Sequence, residues 1–293
     1  MKIFTLRSCA KLNLYLRVIN KRKDGYHSIE TVFERVGLSD SISFSPAKDN
    51  DVHFRCDDPG LPSGEDNLCV KAARALKKRF GVKKGCRIFL RKNIPYGSGL
   101  GGGSSNAACV LRGLCRLWRL KVSKRELAKL AGAIGSDVPF FLADTPFALG
   151  RGRGERITPL PGIKSRFFHV IAVPPVFVPT KGIYAAWDRM AGRRAGLTKP
   201  AGNATMILSA VRKRDFRALR GSVFNSLERV TTKLYPAVGG IIGTISGQAG
   251  AQAVLMSGSG SAVFGIFASL RDAKAACRAL ERSKCRVFLA KTV

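Results

Sequence analysis

The chain has 293 residues, with 51 Lys and Arg against 19 Asp and Glu, a formal net charge of +32. Its 45% hydrophobic and 24% charged residues are the composition of a folded chain with a real core, which excludes a disordered polymer. The positive surplus attracts anions (nucleic acid, acidic membrane surfaces or phosphorylated small molecules), but it is spread along the chain and selects none of them.

The N-terminus meets a strand pattern almost at once, which leaves no room for a presequence and implies a cytoplasmic location. From 11 to 18 the residues alternate: Leu12, Leu14, Leu16 and Val18 on one face, Lys11, Asn13, Tyr15 and Arg17 on the other. Period two predicts a half-buried strand. Asp24-Gly25 reads as a turn, Ile29 to Val36 as the next strand, and Ile42–Phe44 and Val52–Phe54 as two short ones. A helix is predicted over Asp66 to Phe80, where Leu68, Ala72, Leu76 and Phe80 recur every fourth residue and Gly81 stops the run. Arg87 to Leu90 is a strand, and Ser104 to Leu117 a helix rich in Ala and Leu. Ser123 with Glu126 forms a capping box for a helix that ends near Gly135.

The Gly/Arg-rich segment Arg151 to Glu155 marks a lobe boundary, which divides the chain into 1–153 and 154–293. Phe167 to Val173 is a strand, and Ala191 to Gly202 a mobile loop. Tyr235 to Leu270 carries no charge, but its eight Gly and several Ser and Gln suit a buried helix, strand and loop rather than a membrane span. Ser269 with Asp272 opens a last helix, and Arg286 to Ala290 closes the chain as a strand. Strands and helices without regular βαβ alternation give an α+β class. The eight Cys sit singly and the three His are scattered, so reduced thiols are expected and no zinc-type cage.

The strongest chemical signal is Pro95-Tyr96-Gly97-Ser98-Gly99-Leu100-Gly101-Gly102-Gly103-Ser104-Ser105-Asn106-Ala107-Ala108. Dense glycine lets the backbone approach a ligand, and a helix start behind it offers free N–H groups and a partial positive charge. Together they predict a phosphate cradle. Gly97, Gly99 and Gly102 match a dinucleotide fingerprint, but the region near Val122, where an acidic residue should follow, is basic. A P-loop is excluded because Ser104-Ser105 stands where Lys-Ser/Thr is required. Asp137, just past a helix and before an apolar segment, is a candidate general base.

This loop resembles the phosphate-binding motif of the GHMP kinase superfamily. Ala10-Lys11-Leu12-Asn13-Leu14 resembles its first motif, Asp24-Gly25-Tyr26-His27 the substrate loop of one branch, and Met256-Ser257-Gly258-Ser259-Gly260-Ser261 its third motif. Ser98 and Ser136 depart from the usual Ala, and Tyr184 stands where Phe is common. The resemblance implies a two-lobed fold. The N-terminal, ATP-binding lobe would be like the second domain of ribosomal protein S5, and the C-terminal, substrate lobe an α/β sandwich, with the active site in the cleft between them.

It also implies an ATP- and Mg²⁺-dependent kinase acting on the 2-hydroxyl of 4-diphosphocytidyl-2-C-methyl-D-erythritol, a substrate that carries a cytidine diphosphate group. By the same resemblance Lys11 and Asp137 are catalytic. Asn13, Tyr26, His27, Phe33 and Tyr184 bind substrate. Lys92, Pro95, Gly97, Gly99, Leu100, Gly101, Gly102, Gly103, Ser104, Ser105, Asn106, Asp66 and Asn67 bind ATP, with Ser105 a neighbour of Mg²⁺. A monomer or weak homodimer is expected, without membrane or nucleic acid. A homoserine or mevalonate type of kinase, and a basic nucleic-acid-binding protein on a related fold, are the competing readings.

Overall fold

The structure, a computed structural model, describes residues 3–143, 145–191 and 202–293. Two compact units are each drawn from several stretches of chain. The first holds Met1–Ala10, Ser39–Tyr96 and Gly101–Asp144; the second holds Lys11–Leu38, Gly97–Leu100 and Thr145–Val293. Two long strands, β1 (Phe4–Lys21) and β2 (His27–Pro46), contribute a segment to each unit.

In the first unit the strand order is β3-β4-β2-β1, with β3 at Val52–Cys56 and β4 at Cys86–Arg91. β4 runs antiparallel to β2, Ser41 opposite Arg91, and β3 runs parallel to β4. Cys86, Ile88 and Leu90 point inward while Arg87 and Arg91 face out, the alternation of a sheet covered on one side. The helices are α1 (Leu68–Phe80), α2 (Gly102–Trp118), α3 (Lys124–Ile134) and the short α4 (Val138–Leu142). α1 starts under the Asn67 cap, whose Oδ1 accepts from the Cys69 N–H, and stops at Gly81 in the left-handed region. The Ser123–Glu126 capping box forms as the pattern predicts. α2 begins two residues before the predicted start, because Gly101 turns left-handed and lets Gly102 and Gly103 join the helix.

The second unit holds the inner parts of β1 and β2, with β5 (Phe147–Gly152) on β2, β6 (Arg156–Pro159) on β5, and β8 (Phe224–Asn225) parallel to β1. Residues 151–155, expected as a boundary, form the turn between β5 and β6. A second, four-stranded antiparallel sheet has the order β11-β7-β10-β9, at Arg286–Lys291, Phe168–Val173, Val263–Phe267 and Ala251–Met256. Helices α5 (Thr180–Ala191), α6 (Ala204–Lys213), α7 (Phe216–Ser222), α8 (Glu228–Leu234), α9 (Pro236–Ser246) and α10 (Leu270–Leu280) complete it. Val238, Ile241 and Ile245 of α9 and Ala273, Ala276 and Leu280 of α10 join Val170, Ala172, Val263 and Phe267 of the sheet in one core. The charge-free stretch from 235 is therefore α9, β9 and β10, and no described helix is long and apolar enough to cross a membrane. Positions 192–201 of the expected loop lie outside the described residues.

The expectation of a half-buried first strand is overturned. Lys11, Asn13 and Tyr15, on its polar face, are only 4%, 2% and 0% exposed. All eight Cys are unbridged. Burial pushes the thiols of Cys86 and Cys109 up to about 12 and that of Cys69 still higher.

At Gly113 of α2, a β-carbon would run into the ring of the fully buried Phe44. Helix propensity favours Ala over Gly by about 1 kcal/mol, but forced overpacking of a core costs about 1–3 kcal/mol. Gly113→Ala is therefore expected to lower stability despite its helical position, and a higher urea midpoint would show that Phe44 can yield.

Candidate active site

The glycine run crosses from the second unit to the first at the Leu100–Gly101 peptide bond. In the second unit, Gly99 sits at φ +81° and a β-carbon there would overlap the Ser257 carbonyl oxygen. Only glycine permits that contact and that φ. The Ser257 hydroxyl donates to the Gly99 carbonyl at 3.0 Å, the Ala262 N–H to the Ser98 carbonyl at 3.0 Å, and the Lys11 N–H to the Leu100 carbonyl at 2.9 Å. The predicted third motif is thus stitched to the front of the glycine run, and the first motif to its Leu100. Leu100 itself is core, and Gly97 lies against Phe177.

Lys11 Nζ donates to Asn13 Oδ1 at 2.6 Å and stands 5.7 Å from the centroid of Phe33. Asn13 Nδ2 donates to Thr31 Oγ1 at 2.8 Å, and that hydroxyl donates to the Tyr15 carbonyl at 2.6 Å. A β-carbon on Gly258 would lie 3.5 Å from Lys11 Nζ, so the ammonium faces the Ser257–Ser261 turn. That turn is held from behind. Asn225 Nδ2 donates to the carbonyls of Met256 and Gly258, both at 2.8 Å, and the Thr231 hydroxyl donates to the Ser259 carbonyl. The Met256 N–H donates to Glu228 Oε2 at 2.8 Å; burial pushes the Glu228 carboxyl up, and this bond only partly offsets it. Asn225 and Glu228 carried no sequence signal, because each belongs to a short element whose partners are about thirty residues away.

His27 begins β2 in the same unit. Its ring stacks on Tyr184 at 4.8 Å, meets the Trp187 edge at 5.9 Å, and its Nε2 lies 2.7 Å from Asp188 Oδ1. Lys21 Nζ donates to Asp188 Oδ2 at 2.8 Å. Burial alone would raise the Asp188 carboxyl, but the hydrogen bonds from Lys21 and His27 outweigh it and hold the group below its usual range. Tyr26 is exposed, with the Arg153 guanidinium 4.8 Å from its ring centroid. His27 and Tyr184 are therefore together, while Tyr26 turns to Arg153.

In the first unit, Gly101 caps α2 without any side-chain bond, and no acidic residue lies in the first turn. The first helical bond is Ser105 N–H to the Gly101 carbonyl, so the amides of Gly102, Gly103 and Ser104 precede the ladder. Gly103 is exposed and Ser104 half-buried, whereas Ser105 is buried and its Oγ accepts from the Ser8 hydroxyl at 2.8 Å. Asn106 Nδ2 donates to Ser8 Oγ and to Asp40 Oδ2. Lys92 Nζ also donates to Asp40 Oδ2, at 2.5 Å, while the amides of Asn93 and Ile94 donate to Oδ1. Pro95 follows, buried.

Lys92 is thus committed to a buried ion pair, and a β-carbon on Gly102 would lie 3.2 Å from its Nζ. Asn67 is spent on capping α1, and Asp66 beside it is exposed. Asp137 is the half-buried N-cap residue of α4, without a side-chain capping bond. A β-carbon on Gly135, two residues earlier, would lie 3.9 Å from Ser104 Oγ, which places the Asp137 turn beside the head of α2. Among the described residues no three His, Cys, Asp or Glu side chains gather as a metal cage would require.

Two family models match the chain: the GHMP kinases N terminal domain over residues 67–145 and the GHMP kinases C terminal domain over 207–287. The chain is 36% identical to a 4-diphosphocytidyl-2-C-methyl-D-erythritol kinase of Moorella thermoacetica, covering 100% of both chains. Its identity to the kinase of the same name from Clostridioides difficile is also 36%, over 93% of this chain and 90% of that one. A crystal structure of a 4-(cytidine 5'-diphospho)-2C-methyl-D-erythritol kinase is similar with a TM-score of 0.83 and 35% identity, covering 98% of each chain.

Asp40 gives the sharpest stability test of this architecture. Asp40→Asn leaves the Lys92 ammonium buried without its counter-charge and turns an amide toward donors, an expected loss of about 3–5 kcal/mol. Chemical denaturation measures it, and a loss under about 1 kcal/mol would mean that water reaches the cluster.

Proposed function

Because the chain belongs to the GHMP kinase family, we propose that it transfers the γ-phosphoryl group of ATP to the 2-hydroxyl of 4-diphosphocytidyl-2-C-methyl-D-erythritol, giving the 2-phosphate and ADP in isoprenoid precursor biosynthesis. The observation that carries this reading is the full-length similarity, at 35–36% identity, to chains of that one activity, a solved one among them. The proposal includes a cytoplasmic enzyme working as a monomer or weak homodimer. Eight unbridged thiols suit a reducing compartment.

Phosphoryl transfer asks a protein mainly for positioning and charge compensation. The amides of Gly102, Gly103 and Ser104, at the head of a 17-residue helix with no acid in its first turn, fit the phosphates of ATP. ATP supplies the phosphoryl group, and Mg²⁺ would neutralise part of its charge. Asp137 would take the proton of the attacking hydroxyl at its carboxylate. Lys11, steered by Asn13 and facing the Ser257–Ser261 turn, would offset negative charge on the transferred group. Asn13 would orient the sugar-alcohol end, and His27, Tyr26, Tyr184 and Phe33 the cytidine end. Lys92 and Asn67, engaged with Asp40 and α1, would support the nucleotide pocket chiefly by shaping it.

A coupled assay for ADP with this substrate, ATP and Mg²⁺ tests the activity; turnover of homoserine or mevalonate in its place would reassign the substrate. Asp137→Asn is expected to lower kcat by about 10²–10⁴-fold, the usual worth of a general base, with the melting temperature unchanged. A fully active variant would remove Asp137 from that role.

A further inference from the structure

The pairing of His27 with Asp188 does more than fill space. The Asp188 carboxylate is ionised and has no proton to give, so the hydrogen in its 2.7 Å contact belongs to Nε2 of His27. A neutral imidazole protonated on Nε2 presents a bare lone pair at Nδ1. Among the described residues no hydrogen bond reaches that Nδ1. A half-turn of the ring would put Cε1 in place of Nε2 against the carboxylate and lose that bond, and the Tyr184 stack and the Trp187 ring oppose the turn. The carboxylate is fixed in its turn by Lys21 on the other oxygen. In its neutral form this side chain is thereby held in one of its two tautomers, with its acceptor side unspent.

We propose that Asp188 is a positioning residue for nucleobase selection: by keeping the proton of His27 on Nε2 it makes Nδ1 an acceptor for the exocyclic amino group of a cytosine, and sets lone pair against lone pair when a uracil carbonyl takes that place. The inference rests on the cytidine-bearing substrate proposed above. It adds the residue that decides which base is accepted. A carbonyl facing a fixed acceptor loses a hydrogen bond and leaves both groups unpaired, which is the stronger form of discrimination.

Two measurements test it. The first needs no substrate. Long-range ¹H–¹⁵N spectra of the histidine rings at neutral pH, with His27 assigned by the signals lost in His27→Gln, are expected to show Nε2 protonated and Nδ1 bare in the native chain. Asp188→Asn should show a mixture of tautomers. A native ring protonated on Nδ1 would overturn the inference.

The second is kinetic. Asp188→Asn is expected to raise KM for the cytidine substrate about tenfold, the worth of one hydrogen bond to a charged group, and to erode the preference over the uracil analogue by a similar factor. KM for ATP is the control and should not move. An unchanged preference overturns the inference, and so does a parallel loss in kcat, KM for ATP and melting temperature, which marks a merely structural role. If the native enzyme turns over neither substrate, the proposed activity fails, and the ring spectrum still decides the role of Asp188.

Discussion

Backbone can lie directly on backbone only where no β-carbon intervenes, and the second unit's part of the glycine run depends on such an approach. There Gly99 lies against the Ser257 carbonyl; in the first unit a β-carbon on Gly102 would meet the side chains of Ile94 and Lys92 instead. Gly99 is fixed by that contact together with the Ser257 hydroxyl bond to its carbonyl, and the head of α2 by the close packing of Gly102. The amides at the head of α2 are thereby left with a defined direction. A looser loop would need to lose that freedom on binding, at a cost in conformational entropy for every residue ordered.

The second constraint is the partnering of buried polar groups. β1 carries Lys11 and Asn13 into a region where water does not reach, and a lone buried ammonium there would be costly. The chain answers with a relay: Lys11 to Asn13, Asn13 to Thr31, Thr31 to the Tyr15 carbonyl. Asp40 plays the matching part in the first unit, where one carboxylate gathers Lys92, Asn106 and two backbone amides. Such networks are strong only when nearly complete, which is why single members are sensitive to substitution. The second unit also keeps a buried Glu34, whose Oε1 receives the Thr292 hydroxyl and meets His169 Nε2.

Much of this was legible in the residues. The glycine run, the Ser123–Glu126 box, the every-fourth-residue apolar pattern of α1 and the closing helix and strand all rest on local chemistry, and local chemistry is what a sequence displays. The misses were tertiary. Ile29–Val36 and Ile42–Phe44 are one strand of 20 residues, and Asp40 between them is satisfied by donors 52 to 66 positions away. The alternation of β1 suggested one wet face, but Lys11, Asn13 and Tyr15 on it are buried as well. Asp188 was invisible because its meaning depends on His27, 161 residues earlier. The short helices α7 and α8, seven residues each, had too few turns for periodicity to declare itself.

The thiols of the first unit have a use beyond packing. Cys69, Cys86 and Cys109 are buried, unbridged and held in the protonated form by their surroundings, so an alkylating reagent meets inert sulfur while that unit is closed. Opening returns each thiol to ordinary reactivity. The rate at which reagent mass accumulates on these three sulfurs is therefore a native clock for breathing around α1, β4 and α2, readable by mass spectrometry without any introduced label.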